Sequence, residues 1–448
     1  MNTSLARFSG HLYSHPKVRP VVAEGRSWAR RNPKTYDLIQ VAMIDTWAAT
    51  IAGAYALTEN SLYTVEAFKD FLRALKPGGL LTFTRFFFNP PRQALRLASI
   101  YVQAAEELGI PDPAANILVA RYESLATLIF KAEPFTRQEI QKFNEDLTEL
   151  GFELVYTPIQ RVNPYFKALL EAQDREEFFR KYPFDITPTT DERPFFFNIL
   201  KIKDFLRVFE IREGQKFNYY ATYLLLLVLI LSLGITGLII LIPNVLIEDS
   251  VKSKPPLVLL LYFVLIGLGF IATETAIIQR FVLLLENPLS ASGAVLAGLL
   301  VSSGVGSYLY WRKGSPVNNT GVVRVWFFLG LFLAVHAFCG SFIIRQALNL
   351  PMNAKLVLAV ILITPLGLFM GIPMPMGLRL ADRWGGGVVA WCWAINGAAS
   401  VVASPLAVAV AIAYGFGAVL KWSLVFYILS GLFLISLHRR KIGRDKSS

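Results

Sequence analysis

An α/β domain followed by an all-α, multi-span membrane domain is the fold class this sequence predicts, and three observations carry it. The first is composition: the 448 residues are 54% hydrophobic and 17% charged, against about a quarter charged in a soluble domain, and mean hydropathy is +0.47. The second is an uneven distribution of charge. Residues 1–217 hold 28 Lys+Arg and 26 Asp+Glu, whereas residues 218–448 hold 16 and 6. The third is periodicity. Short apolar runs alternate with amphipathic stretches in the first half, and long apolar runs fill the second.

The formal net charge of +12 is mostly a property of the apolar half. It points to cationic loops flanking membrane spans and away from a nucleic-acid patch. Carboxylates are scarce there because they are costly to bury in lipid. Cys339 and Cys392 both sit in apolar runs, so neither a disulfide framework nor a Cys-based zinc site is available. With His11, His15, His336 and His438 as the only histidines and no HExxH, nothing indicates a metal centre. The first twenty residues lack an apolar signal core, which places the soluble half in the cytosol.

In order along the soluble half, Val18–Ala23 reads as a short strand and Asp37–Ile44 as a second, buried on both faces. Tyr63–Leu75 is an amphipathic helix, Pro77-Gly78-Gly79 a turn, and Leu80–Phe86 the next strand. Arg92–Leu108 is a helix ended by Gly109, and Asn116–Arg121 and Ala126–Lys131 are strands. Thr136–Leu150 is a helix opened by a capping box of Thr136 and Glu139 and closed by Gly151, before a last strand at Phe152–Tyr156. Near-continuous apolar strands alternating with helices indicate a parallel sheet. Such sheets bind ligands at the C-terminal ends of their strands. There lie Glu24-Gly25-Arg26 and Asp45, carboxylates that would hold an adenine or ribose, or else cap helices and shape turns.

Three stretches, VVAEGRSWARRNPKTYDLIQVAMID (21–45), LTENSLYTVEAFKDFLRALKPGGLLTFTRF (57–86) and TPTTDERPFFF (187–197), resemble the polyamine aminopropyltransferase (spermidine synthase) family, a relative of the S-adenosylmethionine methyltransferases. FIATETAIIQRF (270–281), LFMGIPMPMGLRL (368–380) and AWCWAINGAASV (390–401) extend the similarity to the bacterial membrane-fused branch. The resemblance implies a Rossmann-like, methyltransferase-type sheet on residues 1–184, joined by a linker at 185–217 to a membrane domain at 218–448. It implies a transferase moving an aminopropyl or methyl group from S-adenosylmethionine or its decarboxylated form to a polyamine or other small amine. Glu24, Gly25, Arg26 and Asp45 then fall beside the donor, and Tyr63 and Glu66 border the substrate pocket, although helix packing accounts for the last two equally well. Aligned on Tyr36-Asp37-Leu38-Ile39, the family's proton-accepting Asp falls on Ala42. No GxGxxG or GGGxG precedes Glu24, so the sheet is expected to be incomplete, through a truncated reading frame or as a remnant. A non-catalytic protein with a vestigial or ligand-sensing domain, even one linked to transport, is the alternative.

Seven segments are long enough to cross a bilayer, near 219–243, 256–284, 289–311, 322–345, 355–377, 388–414 and 417–437. Lipid is thus the one firm partner, and oligomerisation is open. Arg312-Lys313, Arg379/Arg383 and Arg439-Arg440-Lys441 alternate as cytosolic loops. With a cytosolic soluble half this requires an even number of crossings before Arg312, where three segments stand, so either one is re-entrant or one charged loop breaks the rule. Glu274, Gln279, Arg280 and Asn396 are polar groups at membrane depth. Each is functional, or Glu274 pairs with another helix, Asn396 being its first-choice partner, and Arg280 snorkels. The prolines in Met370–Gly377 break or kink a helix, or mark its end. Ser302-Ser303-Gly304 and Gly306-Ser307 offer a small-residue face for close packing. In the linker, Asp191-Glu192-Arg193-Pro194 before three phenylalanines is a surface turn or a rigid dock on the membrane, with Lys201, Lys203, Arg207, Arg212 and Lys216 facing anionic head groups.

Overall fold

The structure is a computed structural model that describes residues 6–8, 10–43, 59–204, 220–246, 255–314 and 318–444. Asp45, Arg207, Arg212 and Lys216 lie outside the described residues.

The first half is α/β, built on one five-stranded sheet in the order β1-β2-β4-β3-β5, with β1 at Tyr36–Val41, β2 at Leu75–Phe86, β3 at Ile117–Tyr122, β4 at Leu125–Lys131 and β5 at Glu153–Tyr156. The sheet is mixed, not parallel. Only β1 and β2 run parallel, while β2–β4, β3–β4 and β3–β5 are antiparallel. Connection length is the reason: only Glu123 and Ser124 separate β3 from β4, and Glu123 has a φ of 49°. A link that short closes a hairpin and cannot make a parallel crossover. Val18–Ala23 forms no strand, and Val22 is fully exposed. The sheet therefore has its edge at β1, which is half exposed along its length, Leu38 by 52%, instead of buried on both faces. Pro77-Gly78-Gly79 is not a turn but an irregularity inside β2, where pairing with β1 slips between Tyr36 and Leu38 and Gly78 takes a φ of +75° that suits glycine.

The helices expected at Tyr63–Leu75, Arg92–Leu108 and Thr136–Leu150 form, and three shorter ones form that were not expected from the sequence. α1 spans Gly25–Arg31, α2 Val65–Ala74, α3 Gln93–Glu107, α4 Arg137–Leu150, α5 Pro164–Leu170 and α6 Arg175–Lys181. The capping box on α4 forms as expected, and Gly151 ends the helix at a φ of 71°. The core of this half is aromatic. Phe68 stacks on Phe83 at 4.7 Å, Tyr101 on Phe130 at 4.5 Å, and Tyr63 on Phe196 at 4.5 Å between ring centroids.

The second half is all helix: α7 Tyr220–Leu246, α8 Leu257–Leu285, α9 Pro288–Arg312, α10 Asn319–Ala334, α11 Gly340–Ala347, α12 Met352–Met370, α13 Pro373–Ala381, α14 Gly386–Tyr414 and α15 Phe416–Arg444. Val335–Cys339 joins α10 to α11 as a π turn, and these together form one span. Six helices among the described residues are long and apolar enough to cross a membrane, and Thr222–Leu238 of α7 is a shorter apolar helix. The chain is thus an integral membrane protein. α8 is the hub, packed against α9, α14 and α15. α8 and α9 have 29 and 25 residues, and each is long and apolar enough to cross a membrane. α12 breaks at Gly371, and Pro373 opens α13. The small-residue face on α9 is used as expected. A Cβ on Gly306 would overlap the Leu368 carbonyl, and one on Gly371 would overlap that of Ser303, so α9 and α12 touch backbone to backbone.

Candidate functional site at the junction of the two halves

The site grows from Arg26, the second residue of α1, whose side chain is 1% exposed. Its fork donates to both Asp191 oxygens, Nη1 at 2.6 Å and Nη2 at 2.9 Å, and Nε reaches Asp70 on α2 at 2.8 Å. Asp191 also accepts from the Thr64 hydroxyl at 2.9 Å, and its backbone N–H donates to Glu66 at 3.0 Å. Burial alone would raise the Asp191 carboxyl, but attraction and hydrogen bonds from Arg26 outweigh it and hold the group below the usual range. Glu66 is pushed up, by burial and then by Asp191, against an ion pair with Arg345 of α11.

The neighbouring residue of the same motif ties the α/β half to the membrane helices. Glu192 binds Arg280 of α8 at 2.7 Å and accepts from the Ser341 hydroxyl and, at 2.9 Å, from the Gly417 N–H. Its own carbonyl accepts from the Phe416 N–H at 2.9 Å. Glu192 thus sits on the N-terminus of α15, where free N–H groups and the helix dipole favour an anion. Arg280 spends its other nitrogen, Nη1, on the His336 carbonyl in the π turn, a backbone group that the irregular helix leaves accessible. A third tie is Glu286, just past α8, which holds Arg31 of α1 at 2.9 Å and the buried Lys355 of α12 at 2.7 Å.

Between these ties lies a cavity of about 370 Å³. Its polar wall includes Glu24, Glu59, Asp191, Glu286, Gln279 and Ser292, and no Lys, Arg or His among the described residues lines it. Glu24 spends its carboxylate capping α1, accepting from the Arg26 and Ser27 N–H groups at 3.1 and 2.6 Å. Glu286 is paired with Arg31 and Lys355, and Asp191 with Arg26. Glu59 has no cation within ion-pair distance among the described residues and takes a hydrogen bond from Gln279. Burial raises its carboxyl to about 7.

Of the residues singled out in the sequence, Glu24, Arg26, Glu66, Gln279 and Arg280 meet at this junction, with Gly25 the exposed first residue of α1. Tyr63 is fully buried under Phe196, with the Arg85 guanidinium 4.2 Å from its ring centroid, and lines neither this cavity nor its neighbours. Ala42 is exposed just beyond β1. Asn396 does not pair with Glu274, because its amide donates to the Phe263 carbonyl at 3.0 Å, and Glu274 is partly buried with no hydrogen bond among the described residues. Arg280 does not snorkel but is locked by Glu192. Lys201 faces protein instead of head groups, its ammonium capping carbonyls of Phe179, Arg180 and Tyr182. Sequence reasoning passed over Glu59, Asp70, Glu286, Arg345 and Lys355. Glu286 carried one usable signal, as one of only 6 acids beyond residue 217. The chain matches no protein-family model and no curated protein.

Proposed function

We propose that this integral membrane protein binds a cationic small molecule of the amine class between its α/β half and its helix bundle. The observation that supports it is the cavity walled by four carboxylates with no cationic side chain among the described residues, in which Glu59 has no countercharge among them. A protonated amine supplies that charge, and a polyamine, the partner implied by the sequence resemblance, fits its chemistry. The alternative, group transfer from S-adenosylmethionine or its decarboxylated form by a spermidine-synthase-like transferase, draws on the same residues. It needs a base where Ala42 stands, and it needs Glu24, whose carboxylate caps α1.

The test is the pH dependence of binding. A carboxyl raised to about 7 is mostly neutral at pH 6 and mostly ionised at pH 8. Its contribution to folding is full below the ordinary carboxylate range and fades as pH rises through 7, whereas its attraction for a cation moves the opposite way. Spermidine binding to detergent-purified protein, followed by calorimetry, should tighten roughly five- to tenfold from pH 6 to pH 8. Glu59→Gln should abolish that dependence. Tight, pH-independent binding of S-adenosylmethionine with no spermidine signal would overturn the reading in favour of the transferase.

Sidedness belongs to the same proposal. A cytosolic α/β half must share a side with Arg312-Lys313, yet α7, α8 and α9 stand between them. α7 runs antiparallel to α14: Leu226 near the start of α7 packs in the α/β core, the Phe416 N–H just past the end of α14 donates to the Glu192 carbonyl, and between them Thr236 donates to the Ala398 carbonyl at 3.2 Å. At the far end Arg379 donates to the Trp311 carbonyl at 2.9 Å. That end gathers Arg312, Lys313, Arg324, Arg379, Arg383, Arg439, Arg440 and Lys441, against Lys201, Lys203, Arg207, Arg212 and Lys216 before α7. At the near end Arg280, Arg345 and Lys355 are each paired with a carboxylate, and Lys421 lies over the Phe338 ring. On the positive-inside rule the far end is cytosolic and the α/β half faces outward. In a background lacking Cys339 and Cys392, Glu145→Cys should react with an impermeant maleimide in right-side-out spheroplasts and Lys313→Cys should not. The reverse pattern would restore the cytosolic placement.

A further inference from the structure

A second cavity, about 490 Å³, opens on another side of the same junction, and its walls are of opposite kinds. One wall is the last turns of α14, with Ala409, Val410 and Ala413 and, at the helix end, Tyr414, which is 65% exposed. The other wall comes from α6 and the stretch after it, and carries Arg180, Arg193, Lys201 and Lys203 against Glu176 and Asp185. Arg193 is matched by Asp185, which also holds Arg96 at 3.2 Å, and Lys201 is occupied by its three carbonyls. Arg180 and Lys203 are exposed and make no ion pair among the described residues.

The apolar wall belongs to a membrane span and lies within about 8 Å of its end, the depth at which hydrocarbon gives way to head groups. An exposed tyrosine at that level is typical of the boundary. The cavity volume lies in the range of small-molecule sites. A soluble anion would leave the Ala409–Ala413 surface uncovered, and a neutral lipid would leave Arg180 and Lys203 without a partner. We propose that the cavity holds one anionic phospholipid, its glycerol and first methylenes along α14 and its phosphate between Arg180 and Lys203.

Native mass spectrometry of the full chain released from vesicles of phosphatidylcholine with phosphatidylglycerol tests this. One phosphatidylglycerol should be retained in preference to phosphatidylcholine. Arg180→Glu with Lys203→Glu, both at exposed positions, should lower its retention roughly thirtyfold, the loss of about two basic contacts with an anionic lipid. Ala413→Trp, which fills the cavity without changing charge, should lower it too, with circular dichroism confirming the fold. Equal retention of the two lipids, or unchanged retention in the charge-reversed protein, overturns the proposal. Displacement by glycerol 3-phosphate alone overturns it as well, because it would mark a site for a soluble phosphate.

Discussion

Arg26→Ala should destabilise the α/β half by about 3–5 kcal/mol, the cost of removing one partner from a buried ion pair. The side chain is 1% exposed and neutralises Asp70 and Asp191 together, and these carboxylates are themselves only 10% and 6% exposed, so its loss leaves the largely buried Asp191 without its cation. Arg30 still reaches Asp70, but nothing replaces the two-pronged grip on Asp191. Arg26→Lys should recover little, because an ammonium cannot span Asp70 and both Asp191 oxygens as the planar fork does. Denaturant unfolding read by circular dichroism measures this, and a loss under about 1 kcal/mol for Arg26→Ala would refute it. The acid limb provides a second measure. Asp191 is held below the ordinary carboxylate range, so the stability it contributes is full above that range and is lost as pH falls through the depressed value. Asp191→Asn should therefore lower stability at neutral pH and flatten the acid limb.

Glu192→Ala should loosen the α/β half from the bundle, again at a cost of about 3–5 kcal/mol. The substitution leaves Arg280 without a carboxylate and removes the acceptor of Ser341 and the Gly417 N–H in one step. Spin labels placed on the two halves should show a distance distribution that broadens in Glu192→Ala and in Arg280→Ala. The informative variant is the double one. Glu192→Met with Arg280→Leu strands no charge and should regain most of the lost stability, since replacing both partners of a buried pair with apolar groups is often close to neutral. If the double variant is as damaged as the sum of the singles, the two residues act independently and the tie is elsewhere. Gly415 checks the same contact from the backbone. It holds a φ of +83°, and a Cβ there would sit 2.8 Å from the Glu192 carbonyl oxygen, so Gly415→Ala should mimic the loss.

What the sequence disclosed and what it withheld divide along a physical line. Local signals were readable: the Thr136–Glu139 capping box, the break between Met370 and Pro373, and the run of small residues around Gly306 each lie within a few positions of chain, although the partner of Gly306, Leu368, does not. Strand direction was less legible because apolar runs look alike in either orientation. The deciding clue was the short gap between β3 and β4, a matter of connection length and not of periodicity. The junction was the least legible part. Arg26 and Asp191 stand 165 positions apart, Glu192 and Arg280 88, and Glu66 and Arg345 279. Each is an ordinary charged residue in its own stretch and acquires meaning only when the halves meet. Glu274 misled for the opposite reason: a carboxylate in an apolar run calls for a partner, and the helix that carries Asn396 turns that amide to the Phe263 carbonyl.

The three consecutive phenylalanines are divided between two interiors. Phe195 packs with the membrane helices, against Phe416 at 5.7 Å between ring centroids, while Phe196 and Phe197 belong to the core of the α/β half. The same division falls between Leu225 and Leu226 on α7. Neither half is therefore a module that can be lifted out. A soluble fragment ending near residue 204 would display Phe195 and an unmatched Glu192 to water, and the bundle expressed alone would keep Arg280 with no carboxylate at its surface. Fragment studies would report on the wound rather than on the protein, and any lineage that exchanged one half for another would have had to rebuild this seam at the same time.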